Sequence, residues 1–109
     1  MHELGITRNI VSIVTEKAQG EQVRQVTLEI GKLSAVLPEA IRFCFDIVSQ
    51  GTVVEGAQLE IIEIPGTAEC RICGTQFEVE QLYGRCPCGS ADISRLTGEE
   101  LRIKQMVTA

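Results

Sequence analysis

Four of the chain's five cysteines fall in two close pairs, Cys70-Arg-Ile-Cys73-Gly74 and Cys86-Pro-Cys88-Gly89. Thiolates are soft ligands, and Zn(II) in a structural site prefers four of them in a closed tetrahedron. A C-x-x-C turn aims two sulfurs at one point, and a glycine directly after it permits the tight backbone that follows. Two such knuckles separated by a short segment are the mark of a zinc ribbon. We therefore expect Cys70, Cys73, Cys86 and Cys88 to hold one structural zinc. Four thiolates leave no open coordination position, so catalytic zinc does not fit. Two readings compete. A pair of disulfides would need an oxidising compartment. An Fe(Cys)4 redox centre would use the same ligands and give a coloured protein. The second knuckle is one residue shorter than the first. Residues i and i+2 of an extended segment point the same way, roughly 6–7 Å apart at Cα. Sulfurs around zinc lie about 4 Å apart, given Zn–S bonds of about 2.3 Å, so chelation by the shorter loop is feasible with tighter geometry than usual.

The other chemistry lies at the start, Met1-His2-Glu3, which contains the chain's only histidine. A single histidine near a terminus usually has no role. Here the α-amine, the His2 imidazole and the intervening backbone amides form a nitrogen-rich set that can be planar. That set suits Ni(II) or Cu(II) better than zinc, and Glu3 adds a carboxylate. Cys44, between Phe43 and Phe45, reads as a buried thiol serving as a small hydrophobe.

These groups need elements to position them. Ile6, Ile10, Ile13, Val14 and Ala18 recur at helical spacing, which predicts a helix over 3–19 ending near Gly20. Residues 22–33 switch to period two, with Val26, Leu28 and Ile30 on one face and Thr27 and Glu29 on the other. Pro38 and Glu39 suit the first turn of a second helix, with Ile41, Phe45 and Val48 as its apolar stripe and Gly51 as its stop. Residues 57–64 read as a strand, with a bulge at Ile61-Ile62, before Pro65-Gly66. Thr75, Phe77 and Val79 alternate as in a short strand, Gly98 marks the return, and 99–107 alternate again. The expected fold is α+β: two helices on a small three-stranded mixed sheet, with an inserted zinc-ribbon lobe. Residues 1–66 plus 98–109 form the larger lobe and 67–97 the cysteine lobe. The latter contains little apolar material of its own, so the metal is its main stabiliser.

Composition narrows the function. The chain has 109 residues and a net charge of −5, with 4% aromatics and no tryptophan. An acidic chain without a basic run argues against nucleic acid and anionic membranes, and base stacking is poorly supplied. No apolar run approaches the roughly 20 residues that cross a bilayer. Glu3, Arg8 and Asn9 interrupt the N-terminal apolar residues, unlike a signal peptide. The expected setting is reducing and cytoplasmic. No nucleophile–base pair or phosphate loop stands out, so an enzyme is not expected.

Taken together, Met1-His2-Glu3-Leu4, the helix after it, the strand ending Ile30-Gly31-Lys32-Leu33 and the double cysteine knuckle resemble the HypA/HybF family over essentially the whole chain. The resemblance implies a nickel metallochaperone for maturation of [NiFe] hydrogenase and, in some bacteria, urease. It implies Ni(II) at Met1 and His2, through amine, imidazole and neighbouring amides, with Glu3 close by. It implies zinc in the ribbon lobe, a HypB-type GTPase and the hydrogenase large subunit as partners, and a monomer or homodimer. The sequence departs from the family in one place: the usual second knuckle is C-P-x-C, and here Cys88 follows Pro87 directly. The alternative is a zinc-ribbon adaptor for protein or nucleic acid without a nickel role.

Overall fold

The computed structural model describes residues 2–109; the expectation for Met1 lies outside them. In chain order the elements are α1 (Glu3–Ala18), β1 (Val23–Gly31), α2 (Pro38–Val48), β2 (Gln58–Ile64), β3 (Thr67–Cys70), β4 (Gln76–Glu78), β5 (Ile93–Thr97) and β6 (Leu101–Thr108). The strands form two three-stranded sheets, in the orders β2-β1-β6 and β4-β3-β5. The chain divides into two compact units. One comprises residues up to Glu29 with Val36–Ile62 and Arg102–Ala109; the other comprises Ile30–Ala35 and Glu63–Leu101.

The first unit owes its stability to ordinary apolar burial. α1 packs against α2. Its buried face is Thr7, Ile10, Val11, Val14 and Ala18, a stripe rotated from the one the sequence suggested. Ile13 turns out to be 43% exposed, because Val11 rather than Ile13 completes the inward face. Thr7 tolerates burial because its hydroxyl donates to the Glu3 carbonyl at 2.6 Å. Ile41 and Phe45 of α2, Val23, Val26 and Leu28 of β1, and Val54 complete this core. Each such side chain contributes roughly 1.5–3 kcal/mol. As expected, Pro38 sits in the first turn of α2. Cys44 is only half-buried and Phe43 is exposed, so the expectation of a buried thiol is corrected.

β1 is the middle strand, and that position alters its pattern. Thr27, expected on the solvent face, is 1% exposed. Its hydroxyl donates to Glu60 Oε1 at 3.2 Å. Flanking strands bring side chains over the face that a lone amphipathic strand would show to water.

The second unit has a small core. Leu33, Ala68 and Val79 are buried together, with Phe77 and Ile93 against them. β3 pairs antiparallel with both β4 and β5. Backbones approach closely around its glycines. A Cβ on Gly98, whose φ is +111°, would lie 2.6 Å from the Gly66 Cα. One on Gly31 would collide with the Gly98 carbonyl and lie 2.6 Å from Glu99 N. Gly31 N–H donates to the Glu100 carbonyl, and Leu33 N–H to the Gly98 carbonyl, each at 2.7 Å.

Candidate metal centre

The two knuckles are turns tied down by backbone hydrogen bonds. In the first, Gly74 N–H donates to the Cys70 carbonyl and Cys70 N–H to the Thr75 carbonyl, each at 2.9 Å. This closes the hairpin from β3 to β4. In the second, Gly89 N–H donates to the Cys86 carbonyl at 2.8 Å, and Cys86 N–H to the Ser90 carbonyl at 2.9 Å. Gly74 and Gly89 have φ of +78° and +97°, a region that a side chain disfavours.

These turns bring all four sulfurs within 4.8 Å of one another. Cys73 Sγ lies 3.5 Å from Cys86 Sγ, and Cys70 Sγ lies 3.7 Å from Cys88 Sγ. Both separations are close to the roughly 4 Å of a Zn–S4 tetrahedron. The C-P-C knuckle therefore reaches the geometry although it is one residue shorter than the first. Its shortness shows in the amide bonding. Ile72 and Cys73 N–H both donate to Cys70 Sγ at 3.4 Å. Cys88 N–H does so to Cys86 Sγ at 3.4 Å, while Gly89 N–H is taken by the Cys86 carbonyl. Such N–H···S bonds spread the charge of a four-thiolate centre.

The electrostatics of the sulfurs call for a cation. Thr75, through its hydroxyl and then its backbone, pulls the Cys73 thiol down to about 6 from 9.0. The Cys73 N–H leads the contacts that pull Cys70 down. At Cys86 the Cys88 N–H acts in the same direction, but burial and the neighbouring sulfurs outweigh it and push the thiol up to about 12. Four thiolates this close repel one another. A divalent cation at their centre removes the conflict, and the all-sulfur donor set fits zinc.

At the other end of the sequence, His2 is exposed and stands at the N-cap of α1, and its imidazole makes no capping bond. The His2 carbonyl accepts Ile6 N–H at 2.8 Å. A helix offers the amides of its first turn no internal acceptor, so this stretch of backbone presents nitrogen. Glu3 Oε2 accepts Leu37 N–H at 3.3 Å. His2 and Glu3 thus begin α1, whereas the four cysteines gather in the second unit.

The arginines near the cysteines are engaged locally. Arg71 pairs with Asp92 at 3.1 Å, and Arg95 pairs with Glu99. Arg85 donates to the Gly89 carbonyl at 3.1 Å. Among the described residues, no helix is long and apolar enough to cross a membrane.

A family model described as hydrogenase/urease nickel incorporation metallochaperone HypA matches residues 1–108. The chain belongs to the HypA family. It is 63% identical over 106 residues to the hydrogenase maturation factor HypA of Trichormus variabilis, covering 97% of this chain and 94% of that one. The corresponding HypA of Geobacter sulfurreducens is 46% identical over 107 residues, covering 97% of each chain. Among solved structures, a solution structure of a HypA protein superposes with a TM-score of 0.74 at 25% identity, covering 100% of this chain and 97% of that one. The solution structure of the nickel metallochaperone HypA from Helicobacter pylori gives 0.70 at 24% identity, covering 99% and 97%, which is a likeness of fold. HypA is thus a maturation metallochaperone family, and this member carries a four-cysteine cluster that fits zinc.

Proposed function

We propose that this protein carries Ni(II) during maturation of a [NiFe] hydrogenase, or of urease, and is not itself a catalyst. The observation that carries the reading is the exposed His2 at the head of α1, with an imidazole free of capping bonds, in a chain matched over residues 1–108 by a nickel-incorporation family. In this reading the Met1 amine, the His2 imidazole and first-turn amide nitrogens bind nickel, with Glu3 beside them. Cys70, Cys73, Cys86 and Cys88 bind zinc. Residues 1–66 plus 98–109 handle nickel, and 67–97 hold the structural metal. An exposed site of few side chains exchanges ligands readily, which suits transfer to a HypB-type GTPase and the hydrogenase large subunit in the cytoplasm. Protons compete with nickel for the amine and imidazole, so affinity falls as pH drops.

The test is a nickel titration of protein with its native terminus, against His2→Ala and against a form extended before Met1. Both changes are expected to abolish the site. Equal binding by all three would refute the assignment. Metal analysis supplies the independent check on the ribbon: about one zinc per chain, lost in Cys73→Ser.

A further inference from the structure

The four sulfur-bearing residues are unequally sheltered. Cys70 and Cys86 are buried, whereas Cys73 and Cys88 are exposed. Each knuckle therefore turns one cysteine to solvent and keeps one inside. The close sulfur contacts join the exposed cysteine of one knuckle to the buried cysteine of the other: Cys73 to Cys86 at 3.5 Å and Cys88 to Cys70 at 3.7 Å. Closure within the second knuckle would have to span Pro87 alone, whose ring fixes its φ and leaves little freedom to meet the narrow geometry of a disulfide.

We propose that this centre is also a site of reversible oxidation by hydrogen peroxide, in which Cys73 links to Cys86 and Cys70 to Cys88 as Zn(II) leaves. The inference rests on the zinc assignment above. The exposed Cys73 thiolate attacks a peroxide oxygen, the O–O bond breaks, and hydroxide departs, leaving a sulfenic acid. The Cys86 thiolate then attacks that sulfur, the S–S bond forms, and a second hydroxide leaves. Two electrons pass from the sulfur pair to the peroxide, and solvent protonates both hydroxides to water. Cys88 and Cys70 repeat the sequence with a second peroxide. Disulfide sulfurs carry no charge, so the zinc departs as the aquo ion. Both links join the same two knuckles that the metal joined. The lobe therefore stays closed, and a dithiol with added zinc restores the reduced centre.

Trypsin makes the connectivity readable. It cuts after Arg42, Arg71, Arg85 and Arg95, which leaves Cys70 in peptide 43–71, Cys73 in 72–85, and Cys86 with Cys88 in 86–95. Cys44 shares the first peptide, so mapping uses Cys44→Ala. Zinc-loaded protein is titrated with hydrogen peroxide beside a chromogenic zinc chelator, then digested without reduction. The expected result is full zinc release near two equivalents and one species joining all three peptides. Fragmentation at the Cys86–Pro87 bond should place 72–85 on Cys86 and 43–71 on Cys88. Treatment with dithiothreitol and Zn(II) should reverse it. Zinc retained against peroxide would overturn the proposal. So would sulfinic acids in place of disulfides, a link between 43–71 and 72–85 alone, or the reverse assignment on 86–95. Zinc content well below one per chain before peroxide would instead refute the zinc assignment, and this inference with it.

Discussion

Gly31→Ala tests how the end of β1 is tied to residues 98–100. The added methyl would meet the Gly98 carbonyl and sit 2.6 Å from Glu99 N, so one backbone must move by about an ångström to reach ordinary contact. The movement strikes two short bonds, Gly31 N–H to Glu100 O and Leu33 N–H to Gly98 O, both 2.7 Å. Overpacking costs about 1–3 kcal/mol, and each weakened hydrogen bond adds about 1 kcal/mol. A loss of about 3 kcal/mol is expected, which at roughly 4 °C per kcal/mol lowers the melting temperature by about 12 °C. Calorimetry of zinc-loaded protein measures it. Gly5→Ala is the matched control, because nothing lies within 4 Å of the added carbon and alanine favours a helix by up to ~1 kcal/mol. A Gly31→Ala melting temperature within about 2 °C of wild type would refute the reasoning.

Phe45→Ala removes a side chain that is 2% exposed and should cost about 3–5 kcal/mol in urea unfolding followed by circular dichroism. Removing zinc should lower, without abolishing, amide protection across residues 67–97, whose unit keeps its sheet pairing and small apolar cluster, while α1 and the first part of β1 keep theirs in full in hydrogen exchange. In metal-free protein, Cys73, drawn down to about 6, is a thiolate at pH 7, whereas Cys86, pushed up to about 12, stays protonated. Iodoacetamide should therefore label Cys73 far faster at pH 7, with its rate falling as pH drops through about 6. Equal labelling read by mass spectrometry would contradict that ordering. For the metal-free fold, a thiol lowered from 9.0 contributes stability that is fully present above that value and lost as pH falls through about 6.

The cysteine spacing carried the ribbon in advance, because two knuckles admit few arrangements of four sulfurs. Pro38 and Glu39 likewise announced the start of α2. Three features were less legible. Thr67–Cys70 and Ile93–Thr97 became β3 and β5, although neither segment has an apolar run to mark it. Their pairing comes from the knuckles, which fold the chain back on itself. Periodicity locates a stripe only to within a neighbouring position, so it admits Ile13 where the packing of α1 buries Val11. Thr27 looked solvent-facing because β1's alternation says nothing of what neighbouring strands place over it. The Met1-His2-Glu3 motif was visible only as chemistry. Nothing in the periodicity of α1 distinguishes a metal-binding start from an ordinary helix cap.

The close approach of Gly66 and Gly98 brings together the two points where segment 67–97 departs and returns. A segment whose ends meet is a closed detour. It can lengthen, shorten or be exchanged without changing the path of the chain on either side, and joining its ends demands little loop-closure entropy. A second knuckle with one residue between its cysteines, against two in the first, is the kind of difference such a detour absorbs. The same property suits residues 66–98 to grafting between the strands of an unrelated hairpin, provided the host supplies an apolar side chain where Leu33 packs against Ala68 and Val79.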